Sequence, residues 1–529
     1  MQIADLVAQA YASHDAGDTA QALCLLAQGL TAAPGNTDLL FARGNVLRES
    51  GDIDGAAADF QAVLMVHPAH AKAHNNLGAI LLARDELAPA QLHFEAALDA
   101  DVQFADATFN LGSVLQRRGQ YAEALGCFER AAALRPGYAA ALLRAGWVLS
   151  ELGRLEEAAG SMRAAMAAAP EDAGTHNDLG LLLTELNQSP EAVAAHERAA
   201  ALVPQSDEYK TNLALSLMQA GDFAPSWALY EHRWRAEGRL RPAYRYDPVL
   251  EWGGGSIAGK RLRVWWEQGL GDTLCFARYL PVVMQRFAPA ALTLECQPGL
   301  GRLLRHSLPG VEVIEQGQRG SAFDLHVPLM SLPQRCGIAA EVPPVPPLAM
   351  TPTAEAVTRW RDRVAALPEP RVGVVWASGL WPTGNAPARR HRSVAPDAFE
   401  RLLRVPGISF ISLQKGAGTE TAARWRELPG FTDWSDDLGD FDDTAALISC
   451  LDLTLTVDTS VAHLAGSLGG QTWVPLRFEG GNLWAAGAEH SAWYPRMRVF
   501  RQKRQSQWDE PVARIAAALA EFAAGWRRA

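Results

Sequence analysis

Small, apolar and polar positions return together every 34 residues through the first part of the chain, to about residue 236. The small position of one predicted helix is occupied by Gly44, Gly78, Gly112, Gly146 and Gly180. The next helix carries a recurring alanine and, behind it, an aromatic residue: Ala22, Ala56, Ala90, Ala124, Ala158 and Ala192, then Phe60, Phe94, Phe128 and Tyr230. This period predicts stacked helix–turn–helix units, because small residues let two helices cross closely and a ring fills the space beside them.

Turn-forming residues follow the same period. The turn position is occupied by Gly17, Gly51, Asp85, Gly119, Gly153, Asn187 and Gly221. Prolines are predicted to end the second helices, because proline has no backbone N–H to donate; they are Pro34, Pro68, Pro136, Pro170 and Pro204, with Val102 in the remaining copy. Together these positions resemble the tetratricopeptide repeat over residues 1–236, in six full copies and a partial seventh.

From Lys260 onward, short apolar strands alternate with helices. The predicted strands are 261–266, 291–295, 311–314, 324–327, 371–376, 408–413, 453–457 and 472–476. The predicted helices are 273–287, 299–307, 396–405, 444–450, 460–468 and 511–526. Such alternation predicts parallel βαβ units, and the proline-rich segment 342–352 divides them into two Rossmann-like halves. Ligands of such sheets bind at the carboxyl ends of the strands.

Two motifs at predicted strand ends carry a second resemblance. EQGLGDTLCFARYLP (267–281) and VDTSVAHLAGSLGG (457–470) resemble glycosyltransferase family 9, the heptosyltransferase-like enzymes of the GT-B fold, over about residues 260–500. With the repeats, the chain is similar to the bacterial tetratricopeptide-repeat glycosyltransferases. The predicted fold class is therefore an α solenoid followed by an α/β GT-B fold of two Rossmann-like halves. The predicted domains are a repeat superhelix (1–236), a linker (237–259), an acceptor-side half (260–345), a nucleotide-sugar half (354–500) and a C-terminal helix (501–529).

Asp272 is the candidate general base. Sugar transfer needs a group that takes the proton of the acceptor hydroxyl, and groups that hold the leaving diphosphate. Asp272 follows Gly269 and Gly271 in the predicted strand-to-helix turn. The resemblance implies that it is the base and that Gly271 lies at the donor. An aspartate here also suits an ordinary helix cap.

The second motif predicts a diphosphate site. Asp458, Thr459 and Ser460 lie between a strand and a helix, and a helix N-terminus attracts anions. His463 lies one helical turn further, on the face toward the expected cleft. The family usually has glycine where this chain has Ser460. The alternatives are an ordinary cap for the motif and a core histidine for His463.

Three further segments of the chain hold candidate donor contacts. Arg390 and Arg392 lie in a basic loop, RRHRS, which resembles a diphosphate-neutralising stretch of the family, and a solvated loop is the alternative. Gln414 and Lys415 end a strand where nucleotide contacts are expected. The loop 479–482 (EGGN) departs from the tryptophan-rich loop of related sequences, which leaves the sugar open.

Amide and carboxylate side chains are predicted to line one face of the repeats as candidate acceptor contacts. They stand two residues before the small position, at Asn76, Asn110, Asp178 and Asn212, with Arg144 interrupting. A side-chain amide can donate to and accept from a peptide backbone, so such a row would read a protein or peptide acceptor. The alternative is that asparagine is merely common at this repeat position.

Charge and cysteine content narrow the function classes. The formal net charge of −11 argues against nucleic-acid binding, and the six cysteines form no CxxC pair. The N-terminus lacks a basic leader segment and no apolar stretch reaches membrane-span length, so a cytoplasmic location is expected. The one DxD spacing of the second half, Asp440 and Asp442, lies in an acidic run that is predicted to be a solvated loop. No metal and no cofactor beyond a nucleotide-sugar co-substrate is expected.

The sequence therefore favours a nucleotide-sugar-dependent glycosyltransferase whose repeats recruit a protein or peptide. The resemblance implies inverting, metal-independent transfer. Two alternatives stay open. The second half is a degenerate domain of a non-catalytic scaffold, or the acceptor is a lipopolysaccharide or another glycan.

Overall fold

The computed structural model describes residues 2–236, 245–338, 345–379, 392–481 and 483–526. Arg390, Asn482 and parts of both predicted linkers lie outside these residues. The chain divides into two compact units, Met1–Leu182 and Leu183–Ala529. The predicted fold class is confirmed as a helical solenoid followed by an α/β region with parallel sheets.

The solenoid is built from fourteen helices, most of them 13 or 14 residues long. Within the first unit, consecutive helices from α1 to α10 pack against each other in sequence order. The bounds are α1 Ile3–Asp15, α2 Thr19–Ala32, α3 Thr37–Glu49, α4 Ile53–Val66, α5 Ala71–Ala83, α6 Leu87–Ala100, α7 Ala105–Arg117, α8 Tyr121–Leu134, α9 Ala139–Glu151, α10 Leu155–Ala168, α11 Ala173–Glu185, α12 Ser189–Leu202, α13 Asp207–Ala220 and α14 Phe223–Tyr230.

The repeating glycines and rings pack as the period predicted. A methyl group added at Gly78 would lie 2.8 Å from the ring of Phe94, and one at Gly44 would lie 2.8 Å from the ring of Phe60. Both phenylalanines are fully buried. Every predicted turn residue has a positive φ, including the two without glycine, Asp85 (62°) and Asn187 (58°). Aspartate and asparagine tolerate this backbone conformation better than other side chains do.

The prolines are not required to end the second helices. Helix α6 has Val102 in place of proline, yet it ends at the same position of the repeat as α2, which precedes Pro34. The turns that follow are also alike, since the N–H of Asn36 donates to Ala33 O and that of Phe104 to Asp101 O, both at 3.1 Å. The turn geometry and the packing of the next helix therefore end these helices, and the proline is only compatible with that end.

The α/β region contains ten strands and ten further helices in its described residues. The strands are β1 Arg261–Trp265, β2 Ala291–Cys296, β3 Glu312–Glu315, β4 Leu325–Pro328, β5 Arg371–Val375, β6 Ser409–Ser412, β7 Phe431–Asp433, β8 Leu453–Thr456, β9 Thr472–Leu476 and β10 Met497–Arg501. The helices are α15 Leu270–Phe276, α16 Tyr279–Phe287, α17 Gly301–Ser307, α18 Leu332–Arg335, α19 Ala354–Val364, α20 Pro396–Leu403, α21 Thr419–Trp425, α22 Phe441–Ile448, α23 Ser460–Ser467 and α24 Asp509–Trp526.

The strands form two parallel sheets of related topology. The order is β3-β2-β1-β4 in the first sheet and β10-β9-β8-β5-β6-β7 in the second. The second order is that of a doubly wound dinucleotide-binding sheet, and the first is the same order without its last two strands. In both sheets the strand order reverses beside the first strand, next to β1 in one sheet and between β5 and β8 in the other. Ligands of such sheets bind at the carboxyl ends of these strands.

Several local predictions need correction. The predicted helix 273–287 is two helices, α15 and α16, and α15 begins at Leu270. The acidic run is not a solvated loop. Asp440 accepts from the N–H groups of Asp442 and Asp443 at the start of α22, and Arg302 pairs with all three carboxylates, so Asp442 is fully buried. Sequence alone did not reveal the arginine, which lies 138 residues away from Asp440.

The predicted linker 237–259 is partly core, because Trp252 and Ile257 are buried among the residues of the α/β region. Five of the helices and strands described in the α/β region were missed. They are α18, α19, α21, β7 and β10.

The end of the solenoid packs into the α/β region. Trp227 of α14 is fully buried and meets the rings of Phe276 and Trp493 edge-on, at 5.6 and 6.4 Å between centroids. Arg233 then forms a two-bond ion pair with Glu267, at 2.8 and 2.9 Å, and both side chains are almost completely inaccessible. The repeat period ends at about residue 236, whereas α12 to α14 already belong to the second compact unit.

We expect Arg233→Met to destabilise the second unit by about 3–5 kcal/mol, because Glu267 would be left buried without its counter-charge. Chemical denaturation followed by tryptophan fluorescence measures this change. Arg261→Met is the matched control. It removes a half-exposed pair with Asp324 and should cost much less, because water screens the two charges. Equal losses in the two variants would contradict the central role of the buried pair.

Candidate functional site

The two predicted motifs lie against each other. Helix α15 follows β1, helix α23 follows β8, and the two helices pack together. A methyl group added at Gly271 would lie 2.7 Å from His463 Cδ2 and 3.4 Å from Ser460 Cα. Gly271 thus permits the close approach of the two turns, and the carboxyl edges of the two sheets meet at this point.

Asp272 lies in the first turn of α15. Its Oδ2 accepts a hydrogen bond from the Gly269 N–H at 2.8 Å, and Gly269, not Asp272, is the N-cap residue. Among the described residues, no hydrogen bond reaches its other oxygen, Oδ1. Burial raises the pKa of Asp272 to about 6, although the Gly269 hydrogen bond and the charge of Arg392 act against that rise. Such a carboxyl can bind and release a proton near neutral pH.

Asp458 is a buried carboxylate held by two partners. Its Oδ1 accepts from Trp484 Nε1 at 2.9 Å, and its Oδ2 lies 3.6 Å from Arg392 Nε. Burial alone would raise the pKa of Asp458, but the charges of Arg392 and Arg477 hold it below the ordinary value. Asp458 is therefore ionised at neutral pH. Arg392 acts on both site carboxylates, because its charge also limits the rise in the pKa of Asp272 that burial causes.

The start of α23 carries the other motif residues. Thr459 caps the helix, because its Oγ1 accepts from the Val461 N–H at 3.2 Å, and Ser460 is the first helical residue. His463 is buried, and its Nδ1 lies 3.0 Å from the Tyr494 hydroxyl. Burial lowers the pKa of His463 to about 4, so the ring is neutral at pH 7.

Gln414 and Lys415 hold the neighbouring strand ends. The Gln414 amide bonds only to backbone groups in the described residues, accepting from the N–H groups of Trp376 and Ala377 at 3.1 and 3.0 Å. Lys415 Nζ donates to Ser435 O at 3.0 Å. These contacts shape the ends of β5 and β6, and a direct contact of either side chain with a nucleotide stays a prediction.

Three of the four residues in the predicted row bond to other side chains of the repeats. Asn76 donates to Asn45 at 2.9 Å, and Asn110 donates to Asn75 at 2.9 Å, so the amides join neighbouring repeats. Asp178 accepts from Trp147 Nε1 at 3.2 Å, and burial raises its pKa. Asn212 is buried, with 4% of its surface exposed. Acceptor binding by these four residues stays a prediction.

Sequence reasoning missed three residues that shape the site. Trp484 bonds Asp458, and its ring stacks on His463 at 5.4 Å between centroids. Tyr494 lies against the same histidine. The side-chain amide of Gln219, in α13, donates to Glu479 O at 2.9 Å. The backbone carbonyl of Gln219 accepts from the Ala486 N–H at 3.0 Å. The tryptophan that the family resemblance placed in this loop was the available signal, and it stands at Trp484, two residues past the EGGN segment.

The repeats match known family models. Residues 41–101 and 103–171 each match a model described as tetratricopeptide repeat. Repeats of this kind form protein-interaction scaffolds. In the part of the chain that the structure describes, no helix is both long and apolar enough to cross a membrane.

One curated relative and several solved structures are similar to this chain. Protein FlbA of Caulobacter vibrioides is 30% identical over 337 residues, which are 59% of this chain and 54% of FlbA. The chain thus spans about half the length of that relative. The crystal structure of PilW, a type IV pilus biogenesis factor, is 22% identical with a TM-score of 0.37, over 40% of this chain and 99% of PilW. YrrB, a tetratricopeptide-repeat protein with an unusual peptide-binding site, is 22% identical with a TM-score of 0.30, over 34% of this chain and 93% of YrrB.

We expect Gly271→Ala to destabilise the second unit by about 1–3 kcal/mol, because the new methyl group would overlap His463 and push the two turns apart. Thermal unfolding of the full chain measures the loss. The control is Gly126→Ala, in a helical position with open space around it, which should stabilise by about 0.5–1 kcal/mol. A neutral or stabilising effect of Gly271→Ala would contradict the close contact.

Proposed function

We propose that this protein is a glycosyltransferase that moves a sugar from a nucleotide-activated donor to a protein or peptide recruited by its repeats. The observation that carries the proposal is the meeting of the Asp272 turn with the start of α23. The proposed base and the helix end proposed to bind the anion lie close together there, in a pair of sheets of the kind that the GT-B fold uses.

Asp272 is the proposed base. In the inverting reaction, the acceptor oxygen attacks the anomeric carbon as the bond from that carbon to the diphosphate breaks, and the diphosphate leaves with the bonding electrons. The hydroxyl proton of the acceptor passes to the Asp272 carboxylate. Its raised pKa, about 6, suits this role, because a base titrating near the working pH is both ionised and strong enough to accept a proton.

The leaving diphosphate is proposed to lie at the start of α23. The positive end of the helix dipole there favours an anion, although Thr459 already takes the Val461 N–H. Arg392 adds a guanidinium whose Nε is buried without a hydrogen-bond partner among the described residues. Asp458 is ionised and close by, which suits it to accept hydrogen bonds from sugar hydroxyls.

The repeats are proposed to supply the acceptor. They are of the protein-interaction type, and α13 reaches the donor-side loop through Gln219. The proposed site at the Asp272 turn and the last repeat helices therefore belong to one compact unit. A glycan acceptor is the alternative, and protease digestion of the labelled product separates the two, because only a protein acceptor yields labelled peptides.

A non-catalytic scaffold is the second candidate. It is favoured by the structural use of the predicted contacts, since Asp272 accepts from the Gly269 N–H, while Gln414 and Lys415 bond backbone carbonyls. Calorimetry with ADP, UDP, GDP and dTDP discriminates the two functions. Binding of at least one of them supports the transferase, and binding of none by the folded protein supports the scaffold.

We expect Asp272→Asn to slow transfer by about 10²–10⁴-fold while donor binding stays unchanged, because an amide cannot take a proton but can still accept from the Gly269 N–H. Transfer is measured as labelled sugar that a panel of nucleotide-sugars delivers to proteins of a lysate. Asp397→Asn is the control, since Asp397 lies exposed in the first turn of α20 and should leave the rate unchanged. Full activity of Asp272→Asn would remove the proposed base.

We expect the transfer rate at limiting donor to rise with pH through about 6 and to level off above it. The reason is that burial raises the pKa of Asp272 and only the ionised carboxylate is a base. Initial rates across this range measure the profile. A flat profile through pH 6 would argue against Asp272, and the residual rate of Asp272→Asn should lack this titration.

A further inference from the structure

His463 is enclosed on three sides by defined partners. The ring stacks on Trp484, its Nδ1 faces the Tyr494 hydroxyl, and the edge with Cδ2 and Nε2 faces Gly271. Nε2 lies 3.4 Å from where a methyl group on Gly271 would stand. Among the described residues, no hydrogen bond is formed by Nε2. This nitrogen lies on the ring edge that faces the turn of Gly271.

Tyr494 reaches the histidine because α23 carries a glycine at the right place. His463 and Gly466 are three residues apart and share one helix face. A methyl group at Gly466 would lie 2.5 Å from the Tyr494 ring, so any larger residue would displace the tyrosine. The glycine thus admits the ring, and the ring brings its hydroxyl to His463 Nδ1 at 3.0 Å.

Arg278 fixes the segment that carries the tyrosine. This buried guanidinium donates from Nη1 to Trp493 O at 3.2 Å, and its centre lies 5.0 Å from the centre of the Tyr494 ring. The Tyr494 hydroxyl also has Cys275 and Ser467 beside it. Arginine only donates, a thiol is a weak acceptor, and Ser467 Oγ makes no hydrogen bond to any described residue. The imidazole nitrogen is therefore the strongest acceptor within reach of the Tyr494 proton.

The charges around His463 keep the ring neutral. Arg278 and Arg392 both disfavour a proton on it, burial does the same, and Asp458 alone among these groups favours the charged form. A neutral imidazole carries one proton, on one of its two nitrogens. When Nδ1 accepts from Tyr494, the proton must lie on Nε2.

We infer that Tyr494 is a positioning residue that holds His463 as the Nε2–H tautomer, so that a neutral N–H donor faces the Gly271 turn. On the proposed function, on which this part rests, the ligand of that N–H is a diphosphate oxygen of the nucleotide-sugar. The opposite tautomer would turn a lone pair toward the anion. Tyr494 thus acts on the donor through His463 and not by touching it.

The test follows the tautomer directly. The full chain is labelled with ¹⁵N-histidine, and long-range ¹H–¹⁵N correlation spectra give the protonated nitrogen of each of the 13 histidines. His463→Gln identifies the signals of His463 by their loss. The wild-type protein should show His463 protonated on Nε2. Tyr494→Phe keeps the ring on Gly466 and should move His463 toward the Nδ1–H form.

The same samples are titrated with the nucleoside diphosphate that binds best. Tyr494→Phe should weaken its binding about tenfold, which corresponds to the loss of one well-placed hydrogen bond. Tyr138→Phe is the control. It removes a hydroxyl that bonds Asp106 in the repeats, and should change neither the His463 signals nor the affinity.

An Nδ1–H form in the wild-type protein, or His463 signals unchanged by Tyr494→Phe, would overturn the positioning role. Failure of the proposed function gives a different result. In that case His463 follows Tyr494 as described, but the wild-type protein binds none of the nucleoside diphosphates.

Discussion

The buried ion pair of Arg233 and Glu267 is the contact on which the rest of the second unit depends. The arginine comes directly after the last repeat helix, and the glutamate comes directly after β1. Two charges removed from water are tolerable only when they satisfy each other in good geometry. Here both guanidinium–carboxylate bonds are present. Arg233 also donates to Ser331 Oγ, to Tyr230 O and to a second carboxylate, Glu231, while Glu267 accepts from the Met330 N–H. The pair therefore fixes the end of the solenoid to the strand whose exit forms the Asp272 turn.

A second buried cation joins the two sheets. Arg278 follows α15 of the first sheet and bonds the carbonyl of Trp493, in the segment that leads into β10 of the second. Gly271 of α15 and His463 of α23 are in direct contact. The pair at Arg233 fixes the chain at the exit of β1, just before Asp272, and Arg278 fixes the segment that carries Tyr494 to His463. Buried charges therefore help to position both side chains. A site built in this way is pre-organised, because its side chains cannot rearrange without exposing a buried charge.

The fold was largely readable from the sequence, and the reasons are local. The 34-residue period predicted the helix pairs because each copy repeats its own close contact, as at Gly78 and Phe94. Buried parallel strands were readable as short apolar runs. The misses were elements whose stability comes from elsewhere in the chain. The short strand β7 pairs with β6, and the acidic start of α22 depends on Arg302 in the other half of the α/β region.

The sequence by itself determined the repeat array, the two βαβ series and the two motifs to which the proposed chemistry is assigned, since periodicity, apolar runs and glycine turns are properties of neighbouring residues. Only the tertiary structure decided which side chains those motifs meet. It paired Trp484 with Asp458 and Tyr494 with His463, and it bonded the repeat amides to each other. Contacts between residues far apart in the chain depend on how elements pack, and no local pattern encodes them. For that reason the chemical state of His463, the raised pKa of Asp272 and the joint at Arg233 became visible only in three dimensions.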